Sequence, residues 1–134
     1  MDWKKYPPFA PAVLRIGLSL VILWFGFSQL TDQQSWLSYV PASMQQMHAR
    51  MMGFPEPSTF VLLNGAFEVA LGVLLLSGVW IRPVAALLAL HMLGIMLSLG
   101  YNEIAIRDFG LMAGFIAVML HGKDDWCWSS RKGN

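Results

Sequence analysis

The sequence predicts an all-α integral membrane protein: an up-and-down four-helix bundle with an interfacial amphipathic helix in its first outer loop. Three observations carry that prediction. The chain of 134 residues is 56% hydrophobic and 13% charged, against an apolar share of about 45–50% in soluble domains. It holds four apolar stretches of membrane length, since roughly 20 helical residues at about 1.5 Å each cross about 30 Å of hydrocarbon. None of the four alternates with period two as barrel strands do, so helices are what satisfies their backbone groups inside lipid.

The first span covers 9–30. It is long for the apolar region of a secretory leader, carries Arg15 and ends in "FSQLTDQQ" with no small-x-small cleavage site, so it is expected to be retained. Arg15, Ser19, Ile22, Gly26 and Gln29 follow at helical steps and share one face. The outer loop, 31–58, is long for a bundle. In it Trp36 and Tyr39 read as interface anchors, and "SMQQMHARMM" places Met44, Met47 and Met51 on one face of a helix lying on the membrane. Gly53, Pro55 and Pro57 then turn the chain into the second span, 59–77, whose stripe is Asn64, Glu68 and Gly72. The third span, 81–99, lines up His91, Gly94, Ser98 and Asn102. The fourth, 104–120, lines up Arg107, Gly110, Gly114, Ala117 and His121. Small and polar residues mark buried faces between membrane helices, and Gly110-x-x-x-Gly114 is expected to be the tightest pair. A tail, 121–134, closes this single domain and reads as a solvated end.

Basic residues set the orientation. Lys4, Lys5, Arg15, Arg82, Lys123, Arg131 and Lys132 fall at the ends that share one side, and Arg50 and Arg107 at the other. Both termini are therefore expected in the cytoplasm, with the protein multi-pass in the inner (plasma) membrane. A net charge of +1 gives no footprint for nucleic acid. The lipid bilayer is the first partner.

The candidate chemistry lies inside the spans. A lone charge at the position of Glu68, near the midplane, costs at least about 2.5–3.5 kcal/mol, so it must be protonated or paired. His91 stands at matching depth, and Arg15 is long enough to reach toward Glu68 from below. Glu68, His91 and Arg15 thus form the candidate catalytic set, a proton relay or acid/base site for a redox-active lipid such as a quinone. The alternative is an internal polar lock that holds the helices in register. Arg107, Asp108 and Asn64 are the candidate substrate-binding residues, with Arg107 and Asp108 at the outer mouth, or a local ion pair capping the fourth helix.

Other chemistries find less support. His91 is central, His121 terminal and His48 in the loop, so no pair suits a haem. The methionines of the loop suit Cu(I), but an amphipathic helix explains their spacing, and no metal is expected. The single cysteine, Cys127, excludes an intramolecular disulfide, and Asp124 and Asp125 beside it work against a reactive thiolate. No Walker, nucleophile-elbow or dinucleotide fingerprint is present.

The segments "LRIGLSLVILWFGFSQL", "NGAFEVALGVLLLSGVWIRPVAALLAL" and "RDFGLMAGFIAVML" together resemble the DoxX family of small four-helix bacterial membrane proteins (DoxX/DoxD-like). The resemblance spans about residues 12–120. Its matching residues include Arg15, Gly17 and Gly26, then Glu68, Gly72, Gly78 and Arg82, then Arg107, Asp108, Gly110 and Gly114. Gln29 departs from the lysine that family members often carry there. The resemblance implies an inner-membrane protein tied to redox systems, some relatives being subunits of a thiosulfate:quinone oxidoreductase and others associating with antioxidant or sulfur-transfer enzymes. Two functions follow as expectations. The first is a membrane subunit of a quinone-linked oxidoreductase assembly, with quinone bound and partner protein subunits or further copies of itself alongside. The second is a non-catalytic scaffold or assembly factor. A cavity at Glu68 and His91 open to lipid separates the first from the second, which requires direct pairing with no void.

Overall fold

The computed structural model describes residues 9–53, 55–124 and 126–127. Five α-helices and one 3-10 turn run in the order α1 (Ala10–Thr31), the turn Gln34–Tyr39, α2 (Ala42–Arg50), α3 (Pro57–Ser77), α4 (Ile81–Leu99) and α5 (Glu103–His121). Four of them, α1, α3, α4 and α5, are long and apolar enough to cross a membrane, as the sequence predicts. Of the basic residues that oriented the chain, Lys4, Lys5, Arg131 and Lys132 lie outside the described residues.

Local chemistry sets the boundaries. Pro57 opens α3, where a missing N–H costs nothing. Gly78 ends α3 in the left-handed region at φ 75°, and Val79 N donates back to the Leu74 carbonyl. Any other residue at Gly78 would be doubly penalised, since a Cβ there would also lie 2.8 Å from Cys127 Cβ. The cap of α5 is Asn102, whose side chain accepts from the Ala105 N–H, so the Arg107–Asp108 pair is not the helix cap.

Turns of three residues make α3, α4 and α5 run up and down, and the contacts of α1 make it antiparallel to both its neighbours. Arg15 meets Leu75 and Leu76 while Gln29 meets Asn64 on α3; Leu18 meets Gly114 on α5. The four helices form a ring in the order α1, α3, α4, α5. Within it α1 packs closely along α3, and α4 along α5, whereas α3 touches α4 far less. Leu18, Ile22, Leu71, Leu75, Leu88 and Phe115 fill the centre toward the tail end, while large apolar side chains such as Val13, Trp24, Leu63 and Leu97 face outward, as a lipid-facing surface requires.

The close helix approach is not where the small residues suggested. Gly110 is exposed with nothing within 4 Å of a Cβ placed on it, and Ala117 is exposed too. The buried face of α5 is Ala105, Asp108, Phe115 and Val118. The tight crossing joins Gly26 of α1 to Gly65 of α3, where a Cβ on either glycine would lie 2.8–2.9 Å from the carbonyl oxygen of the other. By contrast the α1 stripe is right throughout: Arg15, Ser19, Ile22, Gly26 and Gln29 are all buried.

Candidate functional site

At the loop end the four helices enclose a cavity of about 430 Å³, within the usual range of small-molecule sites of about 300–1,000 Å³. Its polar wall is built from α1, α3 and α4. Gln29, Asn64 and Glu68 meet because the Gly26–Gly65 crossing brings α1 and α3 to backbone contact one helical turn away. Gln29 Nε2 donates to Glu68 Oε2 at 2.8 Å, Asn64 Nδ2 donates to Glu68 Oε1 at 3.0 Å and to Gln29 Oε1 at 2.7 Å, and His91 Nε2 lies 3.1 Å from Glu68 Oε1. Both oxygens of a carboxylate only 2% exposed are thereby engaged. Phe67 packs on the His91 ring at a centroid distance of 5.0 Å and fixes its tilt.

The opposite wall is α5. Asp108, 2% exposed, accepts from Arg107 Nε at 2.9 Å and Nη2 at 2.8 Å, both on Oδ1. Among the described residues its Oδ2 has no partner. The Arg107 guanidinium stays half exposed and rests on the Phe25 ring, 4.7 Å from its centroid. Both Arg107 and Asp108 line the same cavity as Glu68 and His91, which the sequence had placed in separate groups.

The outer loop roofs the cavity. Trp36 packs on Phe25 and donates Nε1–H to Ser28 Oγ at 3.1 Å, and Val40 is buried, its carbonyl accepting from Gln45 Nε2. Trp36, Tyr39 and Met44 line the void, so the expected anchors and the first methionine of α2 serve as its lid, while Met47 and Met51 remain exposed.

Arg15 is not part of this site. It is 1% exposed and points to the tail end, where Nε donates to Asp124 Oδ2 at 2.6 Å, Nη2 to Oδ1 at 3.2 Å, and Nη1 to the carbonyls of Leu75 and Leu76 at 2.8 and 2.6 Å. Leu75 lies seven residues beyond Glu68 on α3, about 10 Å along the axis, which is why Arg15 does not reach the carboxylate. The expectation of an Arg15–Glu68 contact is thus corrected. So is that of a solvated tail for its described part: Asp124 and Cys127 are buried beneath the bundle. Burial works against the Asp124 carboxylate, yet the Arg15 guanidinium and the Trp126 backbone N–H hold its pKa below the usual carboxylate range. Burial pushes the Cys127 thiol up, and the Asp124 charge adds to that.

Two residues that matter were missed. Gln29 was in the α1 stripe but was assigned no role, though its amide completes the Glu68 cluster; its helical register with Arg15 was the available signal. Asp124 gave no signal, since nothing in sequence marks an acid 109 residues from Arg15 as its partner.

Residues 10–100 match the DoxX family, well over half of the chain, and the protein belongs to that family. No curated protein and no solved structure matches it.

Proposed function

We propose that this DoxX-family chain is the membrane subunit of a quinone-linked oxidoreductase assembly, akin to a thiosulfate:quinone oxidoreductase. The observation that supports it is the cavity itself: a Glu68–His91 pair at the wall of a void, at mid-depth in the spanning helices. A polar lock that served only to hold helices would be packed solid.

The lining fits a quinone head group. A quinone offers two carbonyl acceptors and its reduced form two hydroxyl donors, and the cavity carries a donor beside an acceptor on each wall: His91 beside Glu68, Arg107 beside Asp108. When bound, the quinone takes up two electrons from a redox centre on a partner subunit and two protons at its oxygens. His91 Nε2 and Glu68 Oε1 share the proton position that faces the void, Gln29 and Asn64 hold the carboxylate in place, and Arg107 is the half-exposed cation on the opposite wall. The aromatic and aliphatic lining, with Trp36 and Val40 in the roof, surrounds that position with apolar groups.

The same reading takes both termini as cytoplasmic and the bilayer as the inner membrane, from the basic residues at the tail end. The test is gentle purification from native membranes, with quinone measured in the lipid extract and quinone reduction assayed on the assembly. Stoichiometric quinone, and a fall of about 10²-fold in Glu68→Gln, are expected for a positioned acid/base group. Full activity in that variant would end the acid/base assignment.

A further inference from the structure

The cavity is roofed in part by the loop and is bordered along α4 by exposed residues. Along its roof Trp36 and Val40 are tied down by hydrogen bonds. Along α4, in contrast, Gly94 and Ser98 line the void and yet are exposed, and a Cβ on Gly94 would meet nothing within 4 Å. They stand about one and two helical turns above His91, on its face of α4. Phe67 of α3 packs on the His91 ring of α4, and α3 touches α4 far less than α1 touches α3 or α4 touches α5. Large apolar side chains are exposed on both helices: Leu63 and Phe67 on α3, Leu90 and Leu97 on α4.

We propose that the cavity opens sideways into the hydrocarbon between α3 and α4, and that Gly94 and Ser98 form the sill of a portal occupied by the tail of a lipid-borne quinone. This rests on the quinone reading and deepens it: the substrate is drawn from the bilayer rather than from water, and Gly94 is the residue that admits a tailed molecule. A head group entering there passes directly to His91 and Glu68. The leucines and Phe67 at the rim then flank the tail, which stays among apolar groups throughout.

The test measures binding of two probes to the purified protein, a decyl-tailed quinone and its tailless head group, in the unsubstituted chain, in Gly94→Trp and in Gly110→Trp. Gly110 is equally open but lies away from the cavity, so it controls for the bulk of the side chain. The expected result is a loss of about tenfold or more for the tailed probe in Gly94→Trp, under twofold for the tailless one, and neither loss in Gly110→Trp. Equal weakening of both probes, or of neither, overturns the portal while leaving the quinone reading in place. Failure of the unsubstituted chain to bind either probe overturns both. Should Gly94→Trp not fold, a decyl-tailed quinone with a photoreactive tail is applied to the unsubstituted chain. Labels on Leu63, Phe67, Leu90 or Leu97 support the portal, and labels confined to 34–44 or to α1 and α5 overturn it.

Discussion

Glu68 and Asp124 are both buried carboxylates facing a basic side chain, but their surroundings differ. Asp124 meets a permanently charged guanidinium through two hydrogen bonds, and two further bonds from Arg15 go to the Leu75 and Leu76 carbonyls. Glu68 meets two neutral amides and an imidazole, and it does so at the edge of a void. Charge pairing inside a membrane protein is therefore not one device. Where the cation cannot lose its proton and is tied at four points to a side chain and the backbone, the pair is a fastening. Where the partners are two amides and an imidazole and space remains beside them, the cluster is the one on which the quinone proposal rests.

The largest expected effect breaks the fastening. Arg15→Met leaves Asp124 buried without its cation and is expected to cost about 3–5 kcal/mol, whereas Arg15→Met with Asp124→Leu recovers most of that loss. Unfolding by denaturant in detergent measures both, and a double variant no better than the single one would mean that the carbonyl contacts, not the ion pair, dominate. Next comes the crossing that assembles the other cluster. A Cβ in Gly65→Ala lies 2.9 Å from the Gly26 carbonyl and 2.9 Å from Gln29 Cβ, with an expected cost of about 1–3 kcal/mol. Gly110→Ala, facing open space, is expected to be neutral or slightly stabilising through helix propensity. Equal losses in the two would remove the distinction between crossing and surface glycines.

The smallest effect sharpens the comparison through pH. The pKa of Asp124 is depressed on folding, so its contribution is present above the unfolded value of about 3.9 and is lost as pH falls through the lower folded value. The gap in thermal midpoint between the unsubstituted chain and Asp124→Asn should be constant from about pH 7 to 5 and narrow below about pH 4. A gap that persists undiminished in strong acid would show that shape rather than charge holds the tail.

Much of this was legible in the sequence, for reasons that also explain the failures. The α1 stripe could be read because α1 packs on both α3 and α5, so one broad face is buried and any residue able to fit there is small, polar or both. The α5 stripe misled because lipid does not penalise a glycine, and Phe115 and Val118 bury as well as Gly110 would. Gly65 was overlooked beside Asn64, Glu68 and Gly72 because a one-residue offset turns a helix by about 100° and points to a different neighbour. The Glu68–His91 pairing followed from matched depth. The Arg15–Asp124 pairing did not, because depth along a helix says nothing about a tail that folds back beneath the bundle.

The Arg15–Asp124 bond also bears on how the protein is made. The two residues are 109 positions apart, and at about 5–20 residues per second a ribosome takes roughly 5–20 s to cover that distance. For that interval the first helix enters the bilayer with an arginine that has no Asp124 to meet, and its long side chain must be held at the water interface. The Leu75 and Leu76 carbonyls are available to Arg15 earlier, but its contact with Asp124 forms only when the end of α5 has been synthesised and inserted. Nascent chains truncated before Asp124 should stay loosely associated in the membrane and open to protease, and those that include it should become resistant, which makes one late aspartate the signal that assembly is complete.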